Sequence, residues 1–537
     1  MEQHKGKPIS PTIAVGKIWF YSPARQSIPR YQIENYEAEI NRYEQAKEKT
    51  IASLKESYNK ALVEIGEMGA SIFEAHQMIL MDEEYNQKIC NAVYQDKINV
   101  EAAIVQTQEY FSKIFATMED ELFKEREADI RDVSKRLLAA LLSDGEKPEM
   151  IPESSIVVAK DLTPGETIQM DKNKILGFVT ELGSANSHTA ILARTMNLPA
   201  LMGVPVKEEW NGKMAALDGE TGILYIEPEA SVIDKLKKRQ QENFQQKSLL
   251  EQMKGQETCT KAGKRILLYA NVGNVSDVKQ ALDNDAEGIG LFRSEFLYLG
   301  RDSFPTEEEQ FEQYRAAAKM AGDRRLVIRT LDIGADKKAD YFGLKKEENP
   351  AMGFRAIRIC LEKPEIFKTQ LRAIYRASVY GNLAVMYPMI TSVKEIHRIS
   401  QIVAEVKEEL TKEKIPFKEI QQGIMVETPA AVMISDKLAK EVDFFSIGTN
   451  DLSQYTLAID RQNPDLDSFY DPHHPAILKM IQMVIENGHK EGCLVGICGE
   501  LAADMELTKE FLEMGVDELS VAPGLVLSIR EHIREIF

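Results

Sequence analysis

The 537-residue sequence is poor in cysteine, with only Cys90, Cys259, Cys360, Cys493 and Cys498, and no two of them are spaced Cys-x-x-Cys. That argues against a zinc ribbon or a thioredoxin-type redox pair. An odd, sparse set suits a reducing compartment. No stretch reaches the roughly 18 apolar residues of a membrane-spanning helix, and the N-terminus lacks the basic start and apolar centre of an export signal. A soluble, cytoplasmic chain without membrane insertion is expected. Basic charge is also scarce: 66 Lys and Arg stand against 85 Asp and Glu, a formal net charge of −19. Such a chain is a poor general nucleic-acid binder, although a local arginine cluster would still hold a small anion. No Gly-x-x-x-x-Gly-Lys-Ser/Thr nucleotide loop occurs, and residues 31–145 contain no proline.

What is present divides into zones, as the length predicts for two to four domains. Residues 1–30 carry Gly and Pro punctuation and one apolar run, Ile13 to Phe20. Residues 31–145 are rich in Ala, Glu, Lys, Leu and Gln and read as helical. They hold 23 acidic and 13 basic side chains, so about half the net charge lies in this block. Solvated helix faces account for that surplus, and so would a docking surface for a basic partner. Residues 146–228 change to short β-rich runs, at Ile156 to Ala159, Ile175 to Val179 and Ile223 to Ile226, separated by turns such as Thr163-Pro164-Gly165. They read as a compact α/β unit completed by residues 1–30, with the helical block inserted. The polar stretch 229–262 reads as a linker helix.

From residue 263 onward, strand-like runs alternate with helical patterns. Strands are expected at Ile266–Asn271, Ala286–Phe292, Leu326–Thr330, Leu383–Pro388, Gly423–Glu427, Asp443–Ile447, Leu494–Cys498 and Val516–Val521. Eight such units in this length predict a (β/α)8 barrel, whose reactive groups belong at the C-terminal ends of the strands. Arg293, Arg329, Glu427, Asn450, Asp451 and Cys498 all fall at such ends. Each alone has an ordinary structural explanation: a surface ion pair, a cap, a small core residue. Together they suit a substrate carrying phosphate and carboxylate groups. Arginine grips phosphate oxygens through a planar, permanently charged fork. Carboxylates suit Mg²⁺. A thiol could protonate an enolate formed as phosphate leaves.

A second constellation is Gly183-Ser184-Ala185-Asn186-Ser187-His188-Thr189-Ala190. Small residues lead into His188, where the pattern turns helical. A histidine at a helix N-terminus among small neighbours is open to a phosphate, though an isolated histidine is as readily structural.

With both constellations in view, the chain resembles the Enzyme I family of the bacterial phosphoenolpyruvate-dependent sugar phosphotransferase system, the phosphoenolpyruvate-protein phosphotransferases. The resemblance runs through Ile9 to Gly16, Asp161 to Thr167, Gly288 to Glu295, Arg329 to Lys337, Glu347 to Pro350, Val426 to Ala430 and Phe444 to Tyr455. It implies a phosphohistidine α/β domain at 1–30 and 146–228, and a carrier-protein-binding helical insertion at 31–145. It implies a phosphoenolpyruvate-binding barrel at 263–537. It further implies that His188 accepts the phosphoryl group and Thr167 orients its ring. Arg293, Arg329, Asn450, Asp451 and Arg461 would bind phosphoenolpyruvate, Glu427 and Asp451 would hold Mg²⁺, and Cys498 would protonate the enolate. The phosphocarrier protein HPr is the implied partner, and a homodimer through the barrel the implied assembly. One departure stands out: the family's usual Gly-Gly-Arg-Thr-Ser-His is here Gly183-Ser184-Ala185-Asn186-Ser187-His188. A charge-stabilising donor of this kind is worth about 10²–10³ in rate. The alternative is therefore a weakened or regulatory paralogue acting on another carrier.

Overall fold

Without proline to interrupt it, the segment after Asn35 winds into one long helix. The computed structural model describes residues 1–22, 28–116, 121–142, 151, 153–183, 188–196, 198–334, 339–345, 347–461 and 463–536. Within them the chain separates into two compact units, Met1–Gln245 and Gln246–Phe537.

In the first unit, helix α1 (Tyr36–Met81) starts where the Asn35 side chain accepts the Ala38 N–H, the usual N-cap arrangement. It packs with α2 (Glu83–Gln95), α3 (Val100–Ala116) and α4 (Glu121–Leu142). Their core is apolar and aromatic, with Tyr43, Leu54, Phe73, Tyr85, Val93 and Leu137 all buried. The expected helical block is thus a four-helix assembly. Beside it lies an eight-stranded mixed sheet in the order β1-β8-β7-β3-β4-β5-β6-β2. Its strands are β1 (Glu2–Lys5), β2 (Lys7–Ser10), β3 (Ile13–Tyr21), β4 (Ser155–Ala159), β5 (Ile175–Thr180), β6 (Ala200–Met202), β7 (Met214–Asp218) and β8 (Ile223–Ile226). β3, from before the helical block, runs parallel to β4, from after it. The N-terminal residues therefore complete the sheet.

Short helices α5 (Pro164–Gln169) and α6 (His188–Thr195) cover this sheet, and α1 packs against both. Helix α7 (Ala230–Glu251) follows and is tied back to the sheet by the Arg239–Asp218 ion pair and by Gln240, which donates to Ile13 O at 2.8 Å. The helix stops at Glu251, short of residue 262. There the backbone is taken up by the second unit: Met253 O accepts from Arg530, and the Gly255 N–H donates to Asp285.

The second unit is a closed parallel barrel of eight strands. They are β9 (Leu267–Val272), β10 (Gly288–Arg293), β11 (Arg325–Arg329), β12 (Asn382–Tyr387), β13 (Gln421–Val426), β14 (Phe444–Ile447), β15 (Leu494–Ile497) and β16 (Glu518–Val521). Helices surround it. The larger core lies between strands and helices, while a smaller one fills the barrel with Leu291, Val327, Met386, Met425 and Phe444. The barrel is therefore a packed scaffold, and its loops at one end are free to carry chemistry.

Candidate active site

Strand register brings the barrel's polar residues to one rim. Arg293 and Arg329 are register partners across β10 and β11. Val426 pairs with Ile447, and Ile447 with Ile497. Glu427, Gly448 and Cys498, each one residue further on, therefore leave three consecutive strands at one height. Gly448 is needed there: a Cβ would lie 3.0 Å from Glu427 Oε2. Asn450 and Asp451 open the helix Thr449–Leu457, where the positive end of the helix favours an acidic residue.

A buried ionic network fixes these groups. Arg329 donates to Glu295 Oε1 at 2.6 Å and forms an ion pair with Asp332 Oδ2 at 2.9 Å, and all three are buried. Arg355, also buried, holds the other Asp332 oxygen at 3.1 Å. Burial opposes the charge on Arg329, but Glu295, Asp332 and Glu427 outweigh it and raise its pKa. Arg461 reaches Asp451 at 3.1 Å, while Asn450 and Glu500 exchange two hydrogen bonds, at 3.1 and 2.9 Å.

Glu427 is almost wholly buried and receives the Met389 N–H at 2.5 Å. Burial, and then repulsion from Asp451 and Asp332, push its carboxyl well above the usual range, against the pull of Arg329. A divalent cation would relieve that repulsion, so the donor set fits one. Among the described residues no group of three or more His, Cys, Asp or Glu forms a complete metal site. Glu427 and Asp451 would accordingly need oxygens from substrate or water to complete the shell, as small hard cations prefer. Met389 adopts a φ of 60° to present its N–H, and Ala356, beside Arg355, has a φ of 51°. Such strained non-glycine residues tend to gather at functional sites.

Arg293, Asn450 and Cys498 line one cavity of about 440 Å³ at this mouth, with Gly273 and Glu500 among its other walls. Cys498 is buried, and burial pushes its thiol up to about 12, with Ser446 and Arg329 pulling the other way. At neutral pH it therefore carries its proton.

The histidine segment lies in the first unit. Helix α6 begins at His188; residues 184–187, and with them the altered part of the motif, lie outside the described residues, as does the His188 side chain. Thr167 is fully buried in α5, and its hydroxyl hydrogen-bonds to Thr163 O at 3.2 Å and Pro164 O at 3.0 Å. Its oxygen lone pairs remain to accept from a ring N–H. Thr163 and Glu166 form a capping box that fixes α5, and Glu166 is further held by Lys135 of α4 and Tyr21 of β3.

Sequence reading missed Glu295, Asp332 and Arg355. Glu295 and Asp332 each lie two or three residues beyond a strand arginine. Arg355 sits in an irregular segment with no periodic signal.

Comparison with known proteins adds three family matches. The model of the PEP-utilising enzyme PEP-binding domain matches residues 247–537, that of the N-terminal domain residues 5–126, and that of the mobile domain residues 151–222. The phosphoenolpyruvate-protein phosphotransferase of Bacillus subtilis (strain 168) is 41% identical over 540 residues, covering 100% of this chain and 95% of its own. That of Priestia megaterium is 41% identical over 536 residues, covering 99% and 94%. The solution structure of an Enzyme I (nEIt) protein is 33% identical and covers 45% of this chain and 99% of its own, with a TM-score of 0.38.

Proposed function

The chain belongs to the phosphoenolpyruvate-protein phosphotransferase family, Enzyme I, and from that premise we propose that it moves the phosphoryl group of phosphoenolpyruvate onto His188 and then onto HPr, releasing pyruvate as the first step of sugar uptake. The observation that carries this reading is the joint presence of Arg329, Glu427, Asp451 and Cys498 around one barrel mouth. Phosphoryl transfer depends mainly on positioning and charge neutralisation, and this mouth has groups for both.

In this reading Arg293, Arg329 and Arg461 grip the phosphate and carboxylate, joined by Arg355, and Asn450 orients the substrate. Glu427 and Asp451 would hold Mg²⁺, which would supply charge neutralisation for the transferring phosphoryl group. As the bridging P–O bond breaks, the phosphoryl group passes to the His188 imidazole, whose ring Thr167 orients. Cys498 gives its proton to C3 of the enolate, and pyruvate forms. The acidic helical block around α1–α4 supports docking of a basic surface, as proposed for HPr. A cytoplasmic homodimer joined through the barrel is part of the same proposal. The reading is tested by incubating the chain with labelled phosphoenolpyruvate, Mg²⁺ and candidate carriers. Label on the chain and then on HPr supports it; label on neither refutes it.

The Cys498→Ala variant is expected to form pyruvate about 10²–10⁴-fold more slowly, the usual worth of a general acid. Phosphoenolpyruvate binding should change little, because the arginines remain. Rapid-quench pyruvate assays alongside titration of the substrate separate the two, and wild-type pyruvate formation would remove Cys498 from the role.

A further inference from the structure

The two turns that aim Arg329 share a fastening that the proposed chemistry does not use. Arg329 is held by Glu295, in the turn after β10, and by Asp332, in the turn after β11. Ser294 stands between Arg293 and Glu295, and Leu331 directly precedes Asp332. Gln370, on the outer helix Pro364–Ala377, bonds to both. Its Oε1 accepts the Leu331 N–H at 2.9 Å. Its Nε2 donates to Ser294 Oγ at 2.9 Å and to Tyr314 Oη at 3.1 Å. Gln370 is 1% exposed, and Ser294 and Tyr314 are wholly buried. A backbone N–H can only donate, so the amide has one orientation, with its oxygen toward the β11 turn and its nitrogen toward the β10 turn.

We propose that Gln370 is a positioning residue for phosphoryl transfer: it sets the separation of the Glu295 and Asp332 turns, and through them the aim of the Arg329 guanidinium. This rests on the proposed role of Arg329 in gripping phosphate. Glu295 holds Arg329 Nη2 at 2.6 Å, and Asp332 holds Nη1 at 2.9 Å. The planar fork is thus stretched between the two turns, and it is re-aimed when either turn moves. A displacement of about 1 Å in a group that positions the reacting centre is enough to cost about 10²-fold in rate.

The surroundings separate this role from ordinary packing. Burying a glutamine is costly unless its polar atoms are paired, and here both the oxygen and the nitrogen are engaged. The Tyr314 side of the network leads away from the mouth. Tyr314 and Tyr298 donate to Gln310 Oε1 at 3.3 and 3.0 Å, and Gln310 Nε2 donates to Pro305 O at 3.2 Å. The Ser294 and Leu331 side leads to the two carboxylates around Arg329. A buried network satisfied in this way holds one arrangement of the segments it joins.

The test is rapid-quench self-phosphorylation of the full chain by labelled phosphoenolpyruvate with Mg²⁺. Gln370→Met should lower the rate at saturating substrate about 10²-fold. The half-saturating concentration should barely move, the pattern of an interaction realised in the transition state. Ser294→Ala removes only the acceptor on the β10 side and should act in the same direction; it carries the test if the Met variant does not fold. Tyr314→Phe removes another partner of the same amide, so it should unfold at lower denaturant yet transfer phosphate at the wild-type rate. In an Arg329→Lys chain, Gln370→Met should cost little more, because both changes disturb one guanidinium. A wild-type rate in Gln370→Met, or fully additive losses in the double variant, would overturn the proposal. So would a loss in Tyr314→Phe as large as that in Ser294→Ala, which marks a merely structural network. Arg329→Lys alone is the control for the underlying reading. Full turnover there removes the need for an aimed fork, whereas an impaired Arg329→Lys beside an unimpaired Gln370→Met overturns the positioning role alone.

Discussion

Replacing Arg329 with Met is expected to lower phosphoenolpyruvate-dependent phosphotransfer by about 10²–10³-fold, the usual loss when one preorganised charge-stabilising donor is removed from a transition state. The geometry makes this position unusually exacting. Arg329 is the shared cation of Glu295 and Asp332, and through Asp332 it is linked to Arg355. Losing it breaks the buried pair with Glu295 and leaves Asp332 held by Arg355, so stability should fall as well, by about 3–5 kcal/mol for a broken buried pair. Arg329→Lys separates the two effects. It keeps the charge but not the planar fork, so stability should largely return while turnover stays low. Rapid-quench transfer assays, read beside denaturant unfolding, distinguish these outcomes. A Lys variant with full turnover would show that charge alone suffices at this position.

The second large effect is expected at Glu427. Glu427→Ala and withdrawal of Mg²⁺ should produce similar defects, because both remove the same neutralising charge from the phosphate. Glu427 is buried beside Asp451 and Asp332, and Arg329 and the Met389 N–H offset its charge. In the Ala variant added Mg²⁺ should rescue little, since Asp451 alone would remain and is already engaged by Arg461. The check is turnover against Mg²⁺ concentration in both proteins. Full metal-dependent activity in Glu427→Ala would show that the ligand assignment is wrong.

Much of the architecture was legible because it rests on short-range patterns. Each barrel strand is built around a short apolar run, and the eight observed strands fall within two residues of their expected positions. The long helix α1 follows from missing proline and favourable helix formers. The strands missed, β1, β2, β6 and β7, are three to five residues long. β2 contains Pro8 and lies at a sheet edge, where proline is tolerated but weakens any strand signal. Helix α7 ended earlier than expected because Arg530 and Asp285 capture the backbone around Met253 and Gly255. That is a long-range contact with no trace in local periodicity.

The rim was legible for a related reason. In a parallel barrel, residues at the C-terminal ends of the strands gather at the mouth, so spacing alone brings together Arg293, Arg329, Glu427 and Cys498. Arg355 reaches the same mouth through an irregular loop, and the strained backbone at Met389 has no sequence signature. Register was equally invisible before the fold. Glu427, Gly448 and Cys498 are scattered along the sequence, and only the strand pairing sets them side by side.

The account stands on transfer from the barrel's substrate to the histidine at the start of α6. The direct measurement is to incubate the chain with phosphoenolpyruvate labelled in its phosphate, digest it under alkaline conditions that preserve phosphohistidine, and locate the label by mass spectrometry. One label per chain is expected at His188, and none in the His188→Ala variant. Label that persists in that variant, or that maps to another residue, would contradict the account.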